Sequence, residues 1–63
     1  MIVQLEEGVY LADGEGDPPR TMIKENAKKF DSVYHALKAI SDARKFRSFR
    51  NAKPVNLYEL KSN

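Results

Sequence analysis

The sequence has no cysteine, which excludes a disulfide framework, a thiolate zinc site, an iron–sulfur cluster and a cysteine nucleophile. Its single histidine, His35, is too little for an imidazole-rich metal centre. Long apolar runs are missing as well. The longest are of the Val9-Tyr10-Leu11-Ala12 kind, far short of the roughly 20 residues that cross a bilayer. A secretory signal needs a basic start and an apolar run of about 7–15 residues, whereas Met1-Ile2-Val3-Gln4-Leu5 runs straight into Glu6 and Glu7. With neither span nor signal nor cysteine, the expected compartment is the cytoplasm. Glycine is scarce too. Gly14-Glu15-Gly16 supplies two positions of a dinucleotide-binding motif, but Pro19 stands where the third glycine belongs, and the neighbouring acids repel a pyrophosphate.

What is present is a chain of 63 residues, 41% hydrophobic and 32% charged, which reads as one folded domain over 1–63. A domain of this size buries only about 60% of the surface its unfolded chain exposes. Its core is therefore modest, with little room beside it for an enclosed catalytic pocket.

Positive charge is absent from the first part of the chain. Residues 1–19 hold Glu6, Glu7, Asp13, Glu15 and Asp17 and no Lys or Arg, a charge of −5; residues 20–63 carry +7, and the net is +2. The densest basic stretch, from Arg44 to Lys53, has five cations and no acid. If the fold keeps the two segments apart, the molecule is polar and its basic side attracts phosphates or an acidic protein surface. The alternative is that the acidic loop folds back and neutralises the basic stretch.

Val3 and Leu5 alternate with Gln4 and Glu6, and Val9 and Leu11 with Tyr10 and Ala12, around Glu7-Gly8. This pattern predicts a β-hairpin turning at Gly8. Asp13 to Arg20, with two glycines and two prolines, reads as an exposed loop. Thr21 to Lys29 has helix formers enough for one short turn, with Ala27 and Phe30 directed inward. Next, Asp31 or Ser32 offers an N-cap oxygen, and Val33, Ala36, Leu37, Ile40 and Ala43 recur at helical spacing. A helix over about 32–46 follows, with His35, Lys38, Asp42 and Lys45 on its wet face. Asn51 is a plausible stop, and Pro54 opens a last strand over about 54–60. The expected fold class is α+β, a ββαβ domain with about three mostly antiparallel strands and the helix on one face.

The run Ala27-Lys28-Lys29-Phe30-Asp31-Ser32, the alanine-rich helix after it, and then Arg44-Lys45-Phe46 and Asn51-Ala52-Lys53-Pro54-Val55 resemble small uncharacterised proteins of phages and prophages. The likeness covers nearly the whole chain, at core positions, and implies the same small α+β fold. It implies an accessory protein that binds a host protein or nucleic acid, and no shared activity comes with it.

Few residues suggest chemistry. Asp13, Glu15 and Asp17 have the spacing of the first three ligands of a calcium loop, but Pro18 stands where the turn needs glycine and Lys24 where a bidentate glutamate closes the shell. His35 lies on the outside of the helix, where no cleft is expected, and Ser32, Ser41, Ser48 and Ser62 are read as having no histidine partner at any recognisable spacing. No cofactor, metal or catalytic residue is assigned.

Interaction chemistry is concentrated elsewhere. Lys38, Arg44, Lys45, Arg47, Arg50 and Lys53 supply cations, and Phe46 and Phe49 supply rings that can either stack on bases or close the end of the core. At least one ring is expected to be buried. Tyr10 and Tyr58 are expected on the sheet face away from the helix, where they form an exposed patch or pack across strands. The expected function is a non-enzymatic module, monomeric or weakly dimeric, that binds an acidic protein surface through residues 44–53. The alternative is single-stranded nucleic-acid binding by the same segment, with a weak calcium site or small enzyme as the remotest reading.

Overall fold

The structure, a computed structural model, describes residues 1–56. Strands β1 (Ile2–Glu6), β2 (Val9–Leu11), β3 (Arg20–Thr21) and β4 (Lys53–Val55) form one sheet in the order β3-β2-β1-β4, and helix α1 (Val33–Ala43) packs on it. Every neighbouring pair is antiparallel. The molecule is a small α+β domain.

The β1–β2 hairpin turns at Glu7-Gly8 as its pattern predicts. Gly8 has φ +79° and nothing within 4 Å of where a Cβ would stand, so backbone conformation alone calls for glycine there. Gln4 faces Tyr10 and Glu6 faces Val9, which leaves Leu5 as the extra residue of a bulge. Two residues of β1 thus oppose one step of β2, a device that sharpens strand twist.

The sheet has four strands where about three are expected. Arg20, placed in the loop by the sequence, opens β3, with Leu11 opposite Arg20 and Tyr10 opposite Thr21. Two residues are too few to show any periodicity. Loop closure provides the pairing: the Ala12 N–H donates to the Pro19 carbonyl at 2.9 Å.

Between β3 and α1 the expected single turn is a 3-10 turn over Lys24–Asn26. It delivers Ala27 to the interior and Phe30 to the core margin. Two backbone bonds hold this segment: Lys28 N–H to Leu11 C=O at 2.9 Å and Phe30 N–H to Met1 C=O at 2.7 Å.

Ser32 rather than Asp31 caps α1, its Oγ accepting the His35 N–H. The helix ends at Ala43, a turn short of the expected 46. Beyond it, Lys45 and Phe46 donate to the carbonyls three residues back, Asp42 and Ala43, the tightening usual where a helix stops. Ala36, Ile40 and Ala43 face the sheet, and with Ala39 they make a low-profile face that lets helix and sheet approach closely. Val33 and Leu37, expected inside, are 50% and 51% exposed. They lie on the flank of a stripe whose buried centre is Ala36, Ile40 and Ala43.

The core joins Val3, Leu5 and Leu11 to Ala36, Ile40, Ala43 and Phe49. Ile2 is equally inaccessible, but strand alternation puts it on the opposite sheet face, across from Val55. On that face Tyr10 is half-buried beside Gln4; Tyr58, like the 57–60 part of the expected last strand, lies outside the described residues.

Pro54 sits inside β4 rather than opening it, opposite Val3. Having no N–H, proline fits only a non-hydrogen-bonded pair, with its missing donor turned outward. That blunts the β4 edge against strand addition.

Chemical denaturation of single variants tests this core. Ile40→Ala is expected to cost about 2–5 kcal/mol, whereas Leu37→Ala on the half-exposed flank is expected to stay within about 1 kcal/mol of the parent. Ser32→Ala is expected to cost about 1 kcal/mol through loss of the cap.

Candidate functional site

The basic stretch begins where α1 ends, and its shape follows from one ring. Phe49 is 7% exposed and belongs to the core cluster, although its φ is +39°. A side chain in this left-handed region costs about 1–2 kcal/mol. Full burial of a phenylalanine recovers about 1.5–3 kcal/mol, enough to hold the conformation. Two donors then converge on the Phe49 carbonyl, the Arg44 Nε at 3.4 Å and the Ala52 N–H at 3.1 Å. The segment from Arg44 to Ala52 is thereby pinned at both ends to one residue.

Phe46 meets the opposite fate. It is 55% exposed and lines an open groove of about 290 Å³ between the 12–19 loop and the C-terminal half of α1. Leu11, Pro18, Pro19, Phe30, Ala39 and Ala43 supply apolar wall; Asp13, Lys28 and Asp42 stand among the same lining residues. The two-ring stacking surface considered from the sequence is therefore reduced to one ring, because the other completes the core.

Of the predicted interaction residues, Arg44, Lys45, Phe46, Arg47 and Arg50 share this loop and are exposed. Arg44 is committed in part to the Phe49 carbonyl. Lys45 pairs with Asp42 at 3.7 Å with both side chains mostly exposed, an arrangement that contributes little stability. Arg47 and Arg50 make no ion pair among the described residues. Lys53 stands apart on β4, opposite Gln4. Lys38 lines a second groove, about 370 Å³, with Lys29, Asp31 and His35. Lys28, Phe30, Ala39 and Asp42 border both grooves, so the two are neighbours along one side of the helix.

Lys28 and Phe30 are functional candidates that the sequence reading did not single out. The Lys28 ammonium lies 3.5 Å from Asp13 Oδ1 and 5.6 Å from the Phe30 ring centroid. This placement depends on the bond from Lys28 to Leu11, a register between distant segments that no local pattern announces. It also answers how the acidic loop is treated. Lys28, not the 44–53 stretch, matches Asp13, and Glu15 and Asp17 make no ion pair among the described residues.

Other candidates resolve simply. Ser32 does find a histidine, its Oγ lying 2.8 Å from His35 Nδ1. The same Oγ accepts the His35 N–H at 3.3 Å, so the pair is a reciprocal helix-start arrangement set by the N-cap-to-third-residue spacing. The His35 ring meets Tyr34 edge-on at 5.5 Å. Among the described residues no three acids or imidazoles converge as a metal site, and no helix is long and apolar enough to cross a membrane.

No protein-family model, curated protein or solved structure matches this chain.

The contrast between the two rings is measurable. Phe49→Ala is expected to destabilise by about 3–5 kcal/mol, most of what a domain this small possesses, whereas Phe46→Ala is expected to shift the urea midpoint by less than about 1 kcal/mol equivalent. A reversed order would place the wrong ring in the core.

Proposed function

We propose that this chain is a non-enzymatic interaction module, working in the cytoplasm, that engages an acidic protein surface through its basic 44–53 segment. One observation carries the reading. Phe46 is half-exposed at a groove and is followed by Arg47, which has no ion pair among the described residues, on a loop tied to the core by the buried Phe49 and by two hydrogen bonds to its carbonyl. An apolar anchor beside arginine on a pre-ordered loop is the combination enriched at the centres of protein interfaces. Pre-ordering matters because the loop then loses little freedom on binding. Arg50 extends the cationic side.

Single-stranded nucleic acid is the second reading, since the same cations suit phosphates. Burial of Phe49 weighs against it, because base stacking gains from successive rings. A net charge of +2 is also small for a dedicated phosphate binder.

Fluorescence anisotropy with a labelled glutamate-rich peptide and a labelled single-stranded DNA, each at two salt concentrations, separates the readings. The acidic peptide is expected to bind, to weaken with salt, and to lose at least about threefold in affinity for the Arg47→Ala/Arg50→Ala variant. Tighter binding of DNA, lost in the same variant, would transfer the function to nucleic acid. No binding of either at low salt would remove the basic loop as an interaction surface.

A further inference from the structure

The groove beside Phe46 runs on into its neighbour, since Lys28, Phe30, Ala39 and Asp42 line both. On the helix side the lining follows one stripe, from His35 and Lys38 through Ala39 and Asp42 to Ala43 and Phe46. These are the three- and four-residue steps that put side chains on one helix face. The two grooves therefore make one trough along α1. Its reach follows from the helix rise: His35, at one end, and Ala43, near the other, are about 12 Å apart at about 1.5 Å per residue.

The two ends differ in charge. At the Phe46 end the charged lining residues are Asp13, Lys28 and Asp42, and each is already matched, Lys28 with Asp13 at 3.5 Å and Asp42 with Lys45 at 3.7 Å. The rest of the wall there is chiefly apolar, with Leu11, Pro18, Pro19 and Ala43 beside the half-exposed Phe46 ring. At the His35 end Lys29, Lys38 and Asp31 make no ion pair among the described residues, two cations against one acid. The Lys29 ammonium donates to the Glu25 and Ala27 carbonyls, which occupies two of its hydrogens and leaves its charge uncancelled.

We infer that the trough seats an extended stretch of a partner protein, with a large apolar side chain beside Phe46 and a carboxylate beside Lys38, about four residues apart. The inference rests on the proposed protein-binding role and carries the seat from Phe46 along α1. Extended chain rises about 3.3 Å per residue, so four residues cover about 13 Å, close to the reach of the trough, and an even separation returns both side chains to one face. A lysine in place of the carboxylate would meet the excess of positive charge. The apolar side chain provides most of the affinity, because an exposed ion pair contributes little. The carboxylate decides which way round the segment lies.

Titration of the intact isotope-labelled chain with short peptides, read by amide chemical shifts, tests this. The first peptide has leucine and glutamate at the inferred spacing in a glycine–serine background; the others put glutamine for the glutamate, move the glutamate next to the leucine, or put serine for the leucine. Shifts are expected at Phe30, Lys38, Ala39, Ala43 and Phe46. The first peptide is expected to bind about twofold to fivefold tighter than the glutamine and adjacent-glutamate peptides at low salt, and the serine peptide at least about fivefold weaker than the first. Lys38→Glu, at an exposed helix position, is expected to reverse the preference for glutamate over glutamine, and Phe46→Ala to weaken every leucine peptide; circular dichroism confirms that each variant folds. Equal binding of the glutamate and glutamine peptides, or of the two glutamate spacings, overturns the inference, as does the absence of shifts along the trough. Affinity for the first peptide that is lost in Arg47→Ala/Arg50→Ala and kept in Lys38→Glu places the segment on the basic loop, and then the inference fails while the basic-loop reading stands. The glutamate-rich peptide tests that reading by itself.

Discussion

Burial of the Phe49 ring is the constraint on which the rest of the functional surface depends. To reach the core cluster from the end of α1, the chain has to leave the helical path within a few residues and accept a left-handed backbone at Phe49. The helix consequently stops at Ala43 and Arg44 turns back on the Phe49 carbonyl. Phe46 is left at the surface, facing the groove beside the 12–19 loop. One apolar contact thus determines where the helix ends, how the basic loop is shaped and which of two rings is available.

The sheet and helix are matched by size rather than by abundance of large side chains. The helix contributes Ala36, Ile40 and Ala43 to the core, and the larger side chains opposite them, Val3, Leu5 and Leu11, come from the strands, with Phe49 closing the end. A thin core in a short chain leaves a small margin of stability. The margin is protected locally. Gly8 accommodates the positive φ of the hairpin turn, Ser32 satisfies a backbone amide at the helix start and Pro54 removes a backbone donor from the edge strand β4, none of them by adding bulk.

Charge is arranged by the same framework. The acidic loop is closed by the backbone bond from Ala12 to Pro19, and the bond from Lys28 to Leu11 fixes the segment beside it. Lys28 arrives with them and neutralises only Asp13. Glu15, Asp17, Arg47 and Arg50 make no ion pair among the described residues, so internal pairing leaves part of the charge division along the chain standing.

The hairpin, the helix and its N-cap were legible because their signals are local: alternation about Gly8, a 3.6-residue stripe, and a serine three residues before the amide it caps. Concentration of cations after the helix was equally plain. Local signals do not carry the rest. Val33 and Leu37 match the apolar stripe as well as Ile40 does, and only the way the helix sets down on the sheet leaves them on the flank. Phe46 and Phe49 lie in the same short basic run, each followed by an arginine, and only the turn after α1 buries one and exposes the other. Strand β3 and the position of Lys28 depend on pairing between distant segments, where the geometry of several bonds acts together and no single residue encodes the outcome. The amino-acid order by itself determined the hairpin, the helix with its amphipathic stripe and the division of charge; tertiary packing decided which ring is core and which acid is matched, because those relations exist only once separate stretches of chain compete for the same small interior.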